Sequence, residues 1–126
     1  MVMEIEKRQA AEQIYYSAVD ALADSDLPAA IEQFRAAIDT DDSFTDAWHG
    51  LIRALQDSGD LDTALSMALR LAQLHPDDVL AHTRLSILYQ LQGKIPEAEA
   101  ESARARILGW KHELKHTQNA VAGDLR

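Results

Sequence analysis

Apolar residues recur along the chain at spacings of three and four, the period of a helix with one buried face. A first helix, starting near Met3 or Glu4 and ending near Asp24, places Ile5, Ile14, Ala18, Ala21 and Leu22 on one side, with Tyr15 and Tyr16 flanking them. The capping acceptors Asp24, Ser25 and Asp26 then precede a second helix, in which Pro28 fits the first turn because a missing N–H is harmless there. This second helix carries Ala30, Ile31, Phe34, Ala37 and Ile38. A third holds Trp48, Leu51, Ile52 and Leu55 and stops at Gly59, which tolerates the positive φ that follows a helix. Asp60 caps a fourth, with Ala64, Leu65, Ala68, Leu71 and Ala72, and Pro76 ends it. A fifth, with Leu85, Leu88 and Tyr89, breaks at Gly93, and a sixth runs from Pro96 to about Leu108 with Ala98 and Ala105 inside. Trp110, Leu114, Thr117 and Val121, spaced four, three and four, predict a separate seventh helix whose single apolar stripe covers the exposed end of the stack.

The elements repeat. Ala30, Ala64 and Ala98 are 34 residues apart, as are Ala37, Leu71 and Ala105, and Leu27, Leu61 and Ile95. Gly59 returns as Gly93, Leu51 as Leu85, and Leu55 as Tyr89. A period of this size means stacked helical hairpins, none of which can bury its apolar face alone.

The pattern resembles the tetratricopeptide repeat, a 34-residue helix-turn-helix unit. Trp48, Leu51, Gly59, Ala64 and Pro76 match that family's signature in the middle repeat, where Ile52, Leu55, Ala68 and Leu71 depart from it. Ala18, Ala30, Phe34 and Ala37 match in the first repeat, and Leu85, Ser86, Tyr89, Gly93, Ala98 and Ala105 in the third. The resemblance implies an all-α, right-handed α-solenoid of three repeats, at about 11–44, 45–78 and 79–112, with a capping helix at about 110–122, in one domain over 1–126. It also implies a concave groove lined by the first helix of each pair, which receives a peptide or partner protein. By repeat position that groove shows Tyr15, Val19 and Leu22, then His49, Arg53 and Gln56, then Thr83, Ile87 and Gln90. Arg53 either pairs with a ligand carboxylate or with Asp57, four residues on. Some relatives clamp a C-terminal carboxylate with several Lys, Arg and Asn side chains on these helices; here they offer Arg53 and Arg84 beyond Lys7 and Arg8, and no Asn, so that clamp is not expected.

Charge narrows the partners. The net charge is −9, and it is uneven: residues 1–70 hold 14 acidic and 5 basic side chains, residues 71–126 hold 7 of each. An acidic domain repels phosphate, which argues against nucleic acid and against an anionic membrane surface. There is no cysteine, the start MVMEIEKRQ lacks a signal-peptide core, and no apolar run is long enough to span a membrane, so the expected compartment is the cytoplasm.

One motif points elsewhere. His112-Glu113-Leu114-Lys115-His116 reads H-E-x-x-H, the spacing that sets two zinc ligands on one helical face beside a general base. The extended form fails, because Asn119 and Ala122 stand where Gly and His are needed, and few residues remain to supply a third ligand. His112 and His116 are therefore weak metal candidates on a polar helix face. With no phosphate-binding glycine loop and no strained nucleophile turn, no cofactor and no catalysis are expected. Self-association through Trp110 and the end helix is the alternative to peptide binding. His82 replaces Trp48 one repeat on, and partly buried packing is expected of it.

Overall fold

The computed structural model describes residues 2–124, with side chains through residue 118. Among the described residues the chain is six α-helices: α1 (Val2–Ala23), α2 (Leu27–Thr40), α3 (Thr45–Asp57), α4 (Leu61–Leu74), α5 (Val79–Leu91) and α6 (Ile95–Asp124). The fold is all-α and built of helical hairpins, as the 34-residue period predicts. Its residues gather into two compact units, Met1–Leu71 and Ala72–Arg126. None of the described helices is long and apolar enough to cross a membrane.

The three hairpin turns are one device used three times. Ser25, Gly59 and Gly93 adopt φ of 60°, 87° and 76°. In each turn the N–H of that residue bonds a carbonyl three residues back: Ser25 to Leu22 (3.0 Å), Gly59 to Gln56 (3.0 Å) and Gly93 to Gln90 (2.9 Å). The next N–H reaches five residues back, from Asp26 to Ala21 (2.9 Å), Asp60 to Leu55 (3.0 Å) and Lys94 to Tyr89 (2.8 Å). This paired bonding satisfies the last carbonyls of the helix and requires a left-handed residue, which glycine supplies without strain and serine does not. In the first two turns the acidic residue that follows then starts the next helix, whereas Lys94 stands there in the third. The side chain of Asp26 accepts from the Ala29 N–H (3.3 Å) and that of Asp60 from the Thr63 N–H (3.2 Å).

Burial of small residues lets the hairpin helices close on each other. Ala18, Ala30 and Ala64 are fully buried, and Ser86 Oγ donates to the Ala98 carbonyl at 2.8 Å, a direct measure of how near α5 comes to α6. In the first unit Phe34, Trp48, Leu51, Ile52 and Leu71 fill the core; in the second Leu85 and Leu88 do. Gly50 belongs to this packing, since a Cβ there would lie 2.3 Å from the Phe34 ring.

A polar clasp holds the start of α1. Arg8 Nε donates to Asp41 Oδ2 (2.8 Å) and its Nη2 to Ser43 Oγ (3.0 Å), while the guanidinium lies 4.9 Å from the centre of the Phe44 ring. Asp41 Oδ1 accepts in turn from the Ser43 hydroxyl (2.6 Å) and backbone N–H (3.1 Å). Together these bonds tie α1 to the α2–α3 connection, some 33 residues away in sequence.

The separate seventh helix does not form. α6 runs unbroken for 30 residues, about 45 Å at 1.5 Å per residue, and Trp110 and Leu114 are 64% and 62% exposed rather than laid over a packed end. One repeat earlier Leu74-His75-Pro76-Asp77-Asp78 makes the turn, with Asp78 capping α5 through the Ala81 N–H (3.2 Å). The equivalent Leu108-Gly109-Trp110-Lys111-His112 has neither proline nor a capping side chain, so nothing stops the helix. The side chain of Val121 lies outside the described residues.

Candidate partner-binding surfaces

In the first unit, α1 and α3 present the residues expected to line a groove. Tyr15 is half-buried among aromatic rings, 5.2 Å from Phe44, 5.7 Å from Tyr16 and 5.8 Å from Phe34 between centroids. Burial, then the nearby Asp46 charge, then Tyr16, hold its phenol above the ordinary value of 10.0, so it remains neutral and able to donate a hydrogen bond. Val19 is exposed, and Leu22 and Gln56 are half-buried. Arg53 is exposed and its Nε pairs with Asp57 Oδ2 at 3.2 Å, the intramolecular alternative of the two considered for it. His49 differs from the others, for only 8% of it is exposed, within a helix where Ala47, Trp48, Leu51, Ile52, Ala54 and Leu55 are buried too.

In the second unit a shallow depression of about 300 Å³ lies between α5 and α6, lined by Val79, Thr83, Ser86, Ile87, Ser102, Ala105 and Arg106. Thr83 and Ile87 come from the sequence-derived set; Thr83 turns its hydroxyl to the Val79 carbonyl (3.2 Å), and Ile87 is 41% exposed. Gln90 is exposed but outside this lining. Ser102, Ala105 and Arg106 escaped the sequence reading because they sit on the second helix of the pair, whereas the resemblance directs attention to first helices. The 34-residue register marked Ala105 only as a packing position.

Beside this depression the unit has a buried polar cluster. His82 and Glu101 are almost fully buried, with Nδ1 and Oε2 2.7 Å apart; His82 Nε2 faces the Pro76 carbonyl at 2.9 Å, and Arg104 bonds the other Glu101 oxygen. Since a carbonyl only accepts, it is Nε2 that donates to Pro76. His82 is buried more completely than the partial burial expected of it, and the cluster around it is new.

His112 and His116 lie exposed on the free part of α6. Among the described residues no group of three or more His, Asp or Glu side chains could hold a metal ion, so neither has a third ligand at hand there. Asn119 and Ala122 have side chains outside the described residues.

Helical hairpins, repeated turn chemistry and open lined depressions in place of an enclosed cleft define an α-helical repeat protein. The particular repeat is suggested by comparison: residues 21–78 match the tetratricopeptide repeat family model. No curated protein matches it by sequence. Among solved structures it is similar to MamA, with a TM-score of 0.77 and 21% identity over 82% of this chain and 60% of that one. It therefore spans less than two thirds of MamA. It is also similar to the type III secretion chaperone SycD of Yersinia enterocolitica in complex with a peptide of the translocator YopD, at a TM-score of 0.75, 22% identity and coverage of 91% and 88%. PcrH in complex with the chaperone-binding region of PopB gives a TM-score of 0.77, 19% identity and coverage of 94% and 95%. At such identities the likeness is one of fold.

Proposed function

We propose that this chain is a non-catalytic interaction module that binds an extended or helical segment of a partner protein. The observation that carries the reading is the α5–α6 depression, where apolar Val79, Ile87 and Ala105 alternate with the hydroxyls of Thr83, Ser86 and Ser102. Apolar contact area with a few convergent polar groups is what peptide recognition needs, and Arg106 adds an exposed guanidinium for a carboxylate. SycD and PcrH, which share the fold, were solved with a peptide and with a region of a partner, and this supports the same use here. The first unit has an apolar surface of its own in Tyr15, Val19 and Leu22, whereas Arg53 there is already matched by Asp57. Residues 1–126 acting as one domain in the cytoplasm complete the proposal.

Peptide display tests it. Wild-type protein enriches peptides from a random library, and Ile87→Asp with Arg106→Glu, both exposed positions, abolishes that enrichment while leaving the circular dichroism spectrum intact. Equal enrichment by the variant removes the depression from the reading.

A further inference from the structure

The free part of α6 carries an exposed apolar stripe that the peptide-binding reading leaves without a role. Ile107, Trp110 and Leu114 follow one another at three and four residues, all exposed, and end in Thr117. Trp110, Glu113, Leu114 and Thr117 line a shallow depression of about 350 Å³ there. A tryptophan and a leucine held more than half in water on one helical stripe mark a surface that another chain covers. The stripe is flanked by base: between residues 105 and 116 stand Arg106, Lys111 and Lys115 against the single acid Glu113, while Arg104 is matched by Glu101.

The complement is present on the same chain. At the start of α1, Val2, Met3 and Ile5 are exposed, and Ile5 lies with Glu4, Gln9 and Glu12 in a depression of about 460 Å³ whose floor is the Arg8–Asp41–Ser43 clasp. From Val2 to Glu12 and from Ile107 to Thr117 are equal counts of helical residues, so the two stripes match in length, about 15 Å each. Charge matches in the opposite sense, Glu4 and Glu12 on one stripe and Lys111 and Lys115 on the other, within the acidic half and the basic end of the chain respectively.

We infer that the free part of α6 docks on the start of α1 of a second copy of this chain. The contact is heterologous, apolar at the centre and ionic at its edges. A surface on each copy stays open for the next, unless the contact closes reciprocally or in a ring. Charge disfavours the simplest rival, α6 against α6, which sets Lys111 and Lys115 against the same bases of the partner.

Sedimentation velocity over a rising concentration series tests this, with full-length protein at low and at high salt. Wild-type protein associates as concentration rises, and salt weakens the association by screening the edges. Trp110→Ser with Leu114→Ser, and separately Ile5→Lys with Glu4→Lys, each weaken it at least about tenfold. All four positions are exposed, and unchanged helicity by circular dichroism shows that the fold survives. Mixing the two variants restores an assembly limited to one heterologous contact, because each supplies the surface the other lacks. A wild-type chain that stays monomeric throughout overturns the inference and leaves the stripe to an acidic helix from another protein. A mixture that stays dissociated while wild type associates overturns it, and an Ile5→Lys with Glu4→Lys variant that associates as well as wild type overturns it in favour of α6–α6 pairing. Peptide enrichment by the α5–α6 depression is a separate readout, so the two proposals stand or fall apart.

Discussion

His82 and Glu101 form a buried contact of 2.7 Å at the two positions that Trp48 and Met67 occupy one repeat earlier. The substitution keeps one interaction and changes another. Trp48 Nε1 donates to the carbonyl of Asp42, six residues back, at 2.9 Å, and His82 Nε2 meets the carbonyl of Pro76, also six residues back, at 2.9 Å. Arg70 lies 5.6 Å from the Trp48 ring centre, whereas its counterpart Arg104 bonds Glu101. An aromatic–cation pair in one repeat thus corresponds to a histidine–carboxylate–guanidinium chain in the next.

Removing half of that chain is expected to cost more than removing all of it. Glu101→Met leaves the buried Nδ1 of His82 without its partner, a loss of about 1–3 kcal/mol in urea unfolding. Adding His82→Trp, which installs the pair used in the middle repeat, recovers most of this loss. A double variant as unstable as the single one shows that the second unit cannot accept the middle repeat's packing.

Ser25 is the one left-handed residue among the three turns that carries a side chain. Ser25→Gly relieves a left-handed penalty of roughly 1–2 kcal/mol, partly offset by the greater freedom of glycine in the unfolded chain, for a net gain of about 0.5–1 kcal/mol. Gly59→Ala and Gly93→Ala lose about 1 kcal/mol each, although nothing lies within 4 Å of a Cβ at either site, because the cost is in φ alone. Melting temperatures of the three variants check the sign of each.

Gly50 is sensitive for the opposite reason. Its helical φ suits any residue, but an alanine Cβ meets the buried Phe34 ring, so Gly50→Ala costs about 1–3 kcal/mol by overpacking. Phe34→Leu alone also destabilises, yet the double variant loses less than the sum of the two, as a double-mutant cycle will show.

Asp41 sets an acid limit for the α1 clasp. The Ser43 hydroxyl, most of all, then the Arg8 hydrogen bond, the Ser43 N–H and the Arg8 charge lower its pKa from 3.8, against burial, which raises it. A lowered folded-state pKa means that the carboxylate's contribution is complete above the unfolded value and fades as pH falls through the folded one. The stability difference between wild type and Asp41→Asn is therefore constant at neutral pH and shrinks below about pH 4. A difference that persists unchanged through that range removes Asp41's charge from the clasp.

The parts of the fold legible in the sequence were those written as repeats. Gly59 and Gly93 announced the backbone of their turns because glycine marks a positive φ, while at Asp24–Asp26 the capping acceptors marked the break but Ser25 hid its left-handed backbone, because serine normally occupies other regions. The six hairpin helices followed from the three-and-four spacing. The boundary at Trp110 was misplaced for a physical reason: Ile107, Trp110, Leu114 and Thr117 continue the spacing of α6, and a stripe alone cannot tell a new helix from a longer one. The missing proline and Asp in Leu108–His112 carried the information. His49 was read as groove-lining by its repeat position, off the main packing stripe of its helix, but α3 is buried round so much of its circumference that such a position is not a wet face. The lining of the α5–α6 depression depends on which side chains of two helices meet, and no one-helix pattern encodes that.

The absent turn after Leu108 has a mechanical consequence. From Trp110 to Asp124 the continuing helix is an arm of about 22 Å whose direction is dictated by the hairpin it grows from, with no joint between them. Whatever binds its far end is held at a set distance and angle from α5, as on a rigid outrigger. Giving residues 110–112 the Pro-Asp-Asp of the preceding repeat would turn that outrigger into a leash.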